Sequence, residues 1–330
     1  MLVSVIVPTR NRAAALAGAL ASLARQEAGS GPYEVIVVDN GSTDATRRVA
    51  EDARTALPGL HYAYEARPGL HRGRHRGMRE AKGDLLAFID DDVEVSPGWI
   101  ASLREALRDD SVAMVGGNIL PAFVDTPPPW LLRLWRRPYG DGHAIPSLSV
   151  LAWRGEARDI DPALVWGCNL SVRRSVLEAA RGFHPDAMPD DLIKFRGDGE
   201  MQLGRFVVAS GARCLFHPGA SVRHLVPLQR MTFDYFRRRA FLQGISDSFA
   251  RLRQANLGDT PASAADCAPL HIGRALFRIA GAFTTAGRHI ARLERTMAEG
   301  HAQGMRFHRE KFETDPEVRA WVLRADYLED

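Results

Sequence analysis

Asp90, Asp91 and Asp92 stand in a row at the end of the apolar run Leu85, Leu86, Ala87, Phe88 and Ile89. The run is short, unbroken and fenced by Gly83 and the acidic cluster, which reads as a buried parallel strand. Side chains alternate at a strand end, so Asp90 and Asp92 are expected on one side and Asp91 on the other. Three carboxylates gathered there repel one another unless a cation or a shifted protonation relieves them. Their hard oxygens suit Mg²⁺ or Mn²⁺, which take one or two protein carboxylates plus substrate phosphates. A solvated acidic turn leading into a helix that starts near Ser96 and Pro97 explains the same three residues. On the triplet alone both readings stand.

Other residues along the chain have chemistry to offer. Asp39 follows Val37 and Val38 at a second strand end. An ionised carboxylate only accepts hydrogen bonds, so it fits an imide N–H or, equally, an Asx turn or helix cap. Residues 67–77 are crowded with arginine, histidine and glycine. Read as a loop, they would let backbone approach an anion and offer guanidinium forks to phosphate oxygens. Nucleic acid is a poor match for this run, because no aromatic residues are interleaved with the cations. Asp198 and Glu200 precede a helix expected over about 200–210, where a carboxylate could take a proton or merely favour the positive end of the helix dipole. His224, expected just after a short strand at 220–222, is a metal-ligand candidate or a packed core histidine. The run Phe236 to Arg239 could meet phosphate or a membrane surface, or be a solvated face with its aromatics turned inward.

These residues need a scaffold, and the periodicity supplies one. Strands are expected at 3–7, 34–38, 60–64, 85–89 and 112–115, with helices at 13–25, 44–55, up to about 81, and 97–107. This alternation calls for an α/β fold with a mostly parallel sheet and helices on both faces. Ligands of such sheets bind at the carboxyl ends of the strands, where Thr9-Arg10-Asn11, Asp39-Asn40 and the acidic triplet fall. From 119 to 160 the pattern loosens around Pro127-Pro128-Pro129 and Trp130, Trp135, Arg136 and Arg137. That stretch reads as a substrate-covering loop, an interfacial patch on lipid, or an insertion packed on the sheet. Beyond Pro227 the chain is mainly helical, at 233–252 and 272–297.

The bulk properties bound the answer. With 330 residues, 45% of them hydrophobic, the chain can bury one large α/β core and carry an appendage. A net charge of +3 gives no global polyanion signal. Cys168, Cys214 and Cys267 are isolated and odd in number, which argues against a disulfide framework and for a reducing cytoplasm. The amino terminus enters a strand at once and does not read as a signal peptide. No apolar stretch is long enough to span a bilayer.

Taken together, Val5 to Arg12 (VIVPTRNR), Val37 to Asp44 (VVDNGSTD) and Ala87 to Asp92 (AFIDDD) resemble glycosyltransferase family 2, over roughly residues 1–224. The resemblance implies a GT-A fold and an inverting enzyme that uses a nucleotide-sugar donor, with Mn²⁺ or Mg²⁺ as cofactor. It places Pro8, Thr9, Arg10, Asn11, Asp39 and Asn40 around base and ribose, with Asp39 facing an imide such as that of uracil. Arg74 takes the position of the diphosphate-contacting arginine, although Gly73 and His75 stand where the family has Ala and Asn. The triplet becomes the DxD motif, with Asp90 on the ribose or sugar, Asp91 beside it and Asp92 on the metal. His224 would be a further metal ligand, and Trp166-Gly167 would wall the donor sugar. The catalytic base falls at Glu200 when counted back from Gly211, and at Asp198 when matched from Gly197.

The domain organisation expected is a catalytic domain over 1–230, with a nucleotide-sugar half at 1–118 and an acceptor half at 119–230, followed by a helical region over 231–330. The partners implied are a UDP-sugar donor and a hydroxyl acceptor on a glycan, lipid-linked glycan or natural product. Peripheral contact with the inner membrane face and a homodimer through the helical tail are further expectations. A nucleotidyltransferase or a dinucleotide oxidoreductase would need a glycine-rich turn after the first strand, where Pro8-Thr9-Arg10-Asn11 stands instead. A phosphatase of the aspartyl type would carry its acidic pair after the first strand rather than the fourth. Another metal-dependent nucleotide-sugar enzyme, or a binding or scaffold protein that kept the fold and lost the chemistry, is the rival, with the altered 197–200 segment as its best support.

Overall fold

The computed structural model describes residues 1–259 and 285–328. Cys267 and residues 272–284 of the expected second long helix lie outside the described residues. The first part of the chain runs β1 (Val3–Thr9), α1 (Ala13–Ala24), β2 (Tyr33–Asp39), α2 (Thr46–Ala53), β3 (Leu60–Tyr64), α3 (Leu70–Glu80), β4 (Leu85–Ile89), β5 (Val93–Val95), α4 (Trp99–Ala106) and β6 (Val112–Gly116). There follow β7 (Ile119–Phe123), α5 (Pro129–Trp135), β8 (Pro138–Tyr139), β9 (Gly142–Ile145), β10 (Val150–Trp153), β11 (Arg158–Asp159), β12 (Asn169–Arg173), α6 (Arg174–Ala179), α7 (Met201–Ala209), β13 (Arg213–Phe216) and β14 (Val222–Val226). Three helices close the described chain: α8 (Phe233–Leu257), α9 (Thr285–Thr314) and α10 (Pro316–Val322).

Among the described residues the larger sheet has the order β11-β13-β6-β12-β4-β1-β2-β3. β1 lies parallel to β2 and β4, and β2 lies parallel to β3, so Thr9, Asp39, Tyr64 and Asp90 emerge on one edge. The alternation of apolar residues explains why both faces are covered. Val3, Val5 and Val7 pack under α1 and α4, while Ile6, Leu86 and Phe88 face α3, α6 and α7. The order of β12, antiparallel to both β4 and β6, makes the sheet mixed at that point.

The loosely patterned stretch after residue 119 forms most of a second sheet, β5-β14-β7-β10-β9-β8. Its strands are short and half-buried, so they carry no long apolar run. Trp130 and Leu131 turn inward against Phe236, Ile290 and Leu293, and Trp135 is half-buried in the same cluster. The stretch therefore packs on the sheet and on the C-terminal helices. No helix among the described residues is long and apolar enough to cross a membrane.

Two local expectations are corrected. The basic run at 67–77 is not a loop: it becomes α3 from Leu70 onward, entered through Gly69 at φ 128°. Its glycines serve packing, since a Cβ on Gly77 would sit 2.3 Å from Ile6 Cγ2 and one on Gly73 3.2 Å from Pro8 Cβ. The short strand expected before His224 instead spans Val222–Val226 and contains it.

Helices α8 and α9 run side by side in the same direction, as the pairings Arg237 with Gly300, Phe241 with Gly304 and Ser248 with His308 require. Cβ atoms on Gly244, Gly300 and Gly304 would meet backbone oxygens at 2.2, 2.6 and 2.0 Å. The two helices can approach this closely only because those side chains are absent.

Candidate active site

The edge of the sheet is built from stapled turns. Asn11, at φ 53°, accepts from the Thr43 N–H at 2.7 Å and donates its own N–H to Ser42 Oγ at 2.9 Å. Asparagine tolerates this left-handed backbone, and the two loops after β1 and β2 are thereby held together. Asp39 is buried beneath them, with Oδ1 accepting from the Ser42 N–H at 2.7 Å and Oδ2 from the Tyr62 hydroxyl at 2.8 Å. Asn40 donates to the carbonyls of Glu65 and Arg67 and accepts from the Gly69 N–H, which fixes the entry to α3.

The acidic triplet is divided among three surroundings rather than two. Asp90 points toward Arg74, whose Nη2 lies 3.9 Å from its Oδ1. Asp91 accepts from the Thr9 hydroxyl at 2.7 Å and pairs with Arg12 at 2.8 Å. Burial nevertheless pushes Asp91 up to about 7, against the pull of Arg12. Asp92 is gripped from two sides, by Arg12 at 2.7 Å and Arg230 at 2.7 Å. Burial works against its ionisation, but His224, Arg230 and Arg12 outweigh it and hold the carboxyl well below the usual range.

Asp92 Oδ1 is buried, accepts no hydrogen bond, and lies 3.4 Å from His224 Nε2. Arg230 donates to that same nitrogen at 2.9 Å. Among the described residues no three carboxylate, histidine or cysteine side chains are gathered as a ligand set. An oxygen and an imidazole nitrogen facing each other still fit an ion that draws its remaining ligands from substrate phosphates and water.

Arg74 rises from α3 into the centre of the site, almost fully buried. Its Nη1 lies 3.4 Å from Glu200 Oε2, and its guanidinium sits 5.2 Å from the Phe183 ring centre. Gly167 makes room for it, because a Cβ there would fall 2.0 Å from Arg74 Nη2. The Gly167 N–H donates to Glu200 Oε1 at 2.9 Å. Glu200 immediately precedes α7 and opens onto the cleft with 17% of its side chain exposed.

Asp198 has a different setting. It is buried, accepts from His184 Nδ1 at 2.6 Å, and is ion-paired to Arg205. Burial opposes its charge, yet His184 and Arg205 hold the carboxyl well below the usual range. Cys168 beside Gly167 is buried and its thiol is raised well above the ordinary value, as suits a packing residue.

A cleft of about 450 Å³ runs along this edge, within the size range of small-ligand sites. Of the residues singled out from the sequence, Pro8, Thr9, Arg10, Asn40, Arg74, Asp90, Asp91, Trp166, Gly167, Asp198, Glu200 and His224 line it. Asp39 and Asp92 are buried behind that wall, and Asn11 is exposed outside the lining. The sequence did not mark Arg12 or Arg230 as partners of Asp92, nor Arg196 and Asp186, which pair at 2.6 Å. Of the run 236–239, read as a phosphate or membrane contact or a solvated face, Arg239 lines the cleft, together with Tyr235, Gln243 and Ser246 of the same helix α8. Their spacing of four, four and three puts them on one helix face.

The family model described as glycosyl transferase family 2 matches residues 4–178. The glycosyltransferase AglE of Haloferax volcanii is 34% identical over 118 residues, 36% of this chain and 39% of that protein. The glucosyl-dolichyl phosphate glucuronosyltransferase of the same organism is 26% identical over 230 residues, 65% of this chain and 66% of its own length. The matched stretches thus span less than two thirds of these relatives. A mannosyltransferase from Pyrobaculum calidifontis, solved in complex with GDP-Man and Mn²⁺, superposes over 97% of this chain and 82% of its own, with a TM-score of 0.53 at 21% identity. The fold is of the GT-A kind with added C-terminal helices, and the chain belongs to glycosyl transferase family 2.

Proposed function

We propose that this protein transfers a sugar from a nucleoside-diphosphate donor, a UDP-sugar by the family resemblance, to a hydroxyl acceptor in one inverting displacement. The observation that carries the reading is the meeting of Arg74, Asp90 and Glu200 in one cleft, with His224 on its wall and Asp92 buried behind it. We read residues 1–118 as the donor half, 119–230 as the acceptor half, and 231–330 as the helical extension.

In this reading Glu200 is the base and Asp198 a positioning group. Glu200 opens onto the cleft, is oriented by the Gly167 N–H, and can receive the acceptor proton as the oxygen attacks the anomeric carbon. Asp198 is already committed to His184 and Arg205, so it is poorly placed to take a proton. Arg74 would hold phosphate oxygens with a guanidinium that its burial keeps in place. Pro8, Thr9, Arg10 and Asn40 would border base and ribose, with Asn11 and Asp39 shaping the turns behind them.

Asp92 Oδ1 and His224 Nε2 would hold Mn²⁺ or Mg²⁺ together with the diphosphate. Bound there, the ion supplies Lewis-acid neutralisation of charge on the leaving nucleoside diphosphate. Arg12 and Arg230 keep Asp92 ionised and available for that role.

Calorimetry with UDP and other nucleoside diphosphates, in Mn²⁺ and then in EDTA, tests the reading. Metal-dependent UDP binding that Asp92→Ala abolishes is expected. Failure of every nucleoside diphosphate to bind in Mn²⁺ would overturn it in favour of a scaffold role. A mannosyltransferase neighbour solved with GDP-Man makes GDP the first alternative nucleotide to try.

A further inference from the structure

The cations lining the cleft are not evenly matched by carboxylates. Arg12 is taken up by Asp91 and Asp92, Arg230 by Asp92, Arg74 by Glu200 and Asp90, and Arg196 by Asp186. Two are left over: Arg10, exposed just after β1, and, on the wall that α8 contributes, Arg239. Arg239 makes no ion pair or hydrogen bond with the described residues, although its neighbours on that helix do: Arg237 reaches Asp234 and Arg238 pairs with Asp190.

Asp186 lies within electrostatic reach of Arg239, and that carboxylate already serves Arg196 and Arg74. Arg196 is half-enclosed, donates to Ser246 Oγ from α8, and is pushed down by burial and by the charge of Arg239, with Asp186 pulling the other way. Arg196 and Arg239 therefore lie close enough to repel each other at the edge of the cleft, beside a carboxylate that Arg74 also draws on. Such a pair is relieved by an incoming anion. Arg196 also lies within electrostatic reach of Glu200, so the excess positive charge sits on the base side of the cleft.

We propose that Arg239, with Arg196 beside it, forms an oxyanion subsite on the acceptor wall, and that the acceptor carries a phosphate or carboxylate near the hydroxyl that attacks. The placement on the acceptor side rests on the transfer reaction and the Glu200 base given above. The cation excess itself does not depend on that reading. The subsite also gives the C-terminal helices a role, since α8 supplies both Arg239 and the Ser246 hydroxyl that accepts from Arg196.

The experiment titrates inorganic phosphate, sodium glucuronate and neutral methyl glucoside separately into protein saturated with UDP and Mg²⁺, comparing wild type, Arg239→Gln and Arg239→Lys. At least one of the two anions should bind in the presence of UDP and methyl glucoside should not compete with it. That affinity should fall at least tenfold in Arg239→Gln and recover to within a few-fold in Arg239→Lys, with UDP affinity unchanged. The stronger of phosphate and glucuronate identifies the group carried by the acceptor. Melting curves with and without UDP establish that each variant is folded.

Three results would overturn the proposal: no anion binds the UDP-saturated wild type, Arg239→Gln leaves anion affinity intact, or UDP itself displaces the anion. The last would place Arg239 on the donor diphosphate. Absence of UDP binding would instead count against the transferase reading, and titrating phosphate into the nucleotide-free variants would still decide the subsite.

Discussion

The backbone N–H of Gly167 donates to Glu200 Oε1 at 2.9 Å, while the other carboxylate oxygen of Glu200 lies 3.4 Å from Arg74. One acidic residue thus touches both the turn before β12 and the arginine of α3. It is aimed by backbone, which does not change rotamer, and it retains an open side toward the cleft.

Replacing Glu200 with Gln should keep this hydrogen bond and remove the base. The expected result is a fall in kcat of roughly 10²–10⁴-fold, with UDP-sugar affinity changed by less than about threefold. Asp198→Asn should behave differently. It breaks a buried ion-paired cluster with His184 and Arg205, so the loss should appear in stability, about 3–5 kcal/mol. Rate assays and denaturant unfolding on both variants check the assignment, which fails if Asp198→Asn loses turnover while keeping full stability.

Arg230 stands against Asp92 and His224 at 2.7 and 2.9 Å, where a divalent ion would also be drawn. Cation and guanidinium compete for the same imidazole nitrogen and repel each other across one carboxylate, whose Oδ2 Arg230 holds. Arg230→Gln should therefore tighten Mn²⁺ binding to the nucleotide-free protein several-fold, read from the free-Mn²⁺ signal in electron paramagnetic resonance. Asp92→Ala should abolish it. Equal weakening in both variants would mean that Arg230 helps to form the ion site instead of occupying it.

Much of this edge was readable because its signals are local. The run 85–89 is apolar throughout and stops at three acids, so its end on the sheet edge follows from adjacency alone. Arg230 had no such signal. It reaches Asp92 only because β14 pairs with β5 and the following turn folds back, a consequence of register and not of spacing. The second sheet leaves no such signal, because strands of two to five half-buried residues have too few apolar positions to show a period of two. The helix over 70–80 was hidden by its glycines, which argue for a loop residue by residue. Yet Gly73 and Gly77 are four apart, the spacing of one helix face, and that face is the one pressed on Pro8 and Ile6 of β1. Asp198 and Glu200 could not be separated from letters two apart; burial and partners separate them.

Gly167→Ala tests whether room for Arg74 is what that glycine provides. The added methyl would fall 2.0 Å from Arg74 Nη2, so the guanidinium must move away from Glu200 and Asp90. A side-chain end can yield without unfolding the strand, so stability should drop by only about 1–3 kcal/mol. Nucleotide affinity should weaken by at least tenfold, because a displaced guanidinium loses its charge-assisted bonds to phosphate. Calorimetry with UDP on the folded variant measures this. Unchanged affinity would remove Arg74 from the donor site.

Acid should weaken the fold through two buried histidines that do not line the cleft. His75 is fully buried, accepts from the Phe183 N–H at 2.8 Å, and is lowered to about 3 by burial, with His71 and Arg79 adding to the effect. His308, fully buried between α9 and α8, is lowered by burial to about 4. Both are neutral in the folded protein, whereas in the unfolded chain they take protons near pH 6.5. Below that pH the unfolded state binds more protons, so stability is full above about 6.5 and is lost as pH falls toward the folded values. Each histidine contributes a slope of up to about 1.4 kcal/mol per pH unit in that window. Denaturant unfolding at pH 7.5, 6.0 and 5.0 should therefore show a steepening loss, and His308→Gln should flatten the slope by up to one histidine's share. A wild-type stability that stays level between pH 6.5 and 5 would contradict neutral burial of both rings.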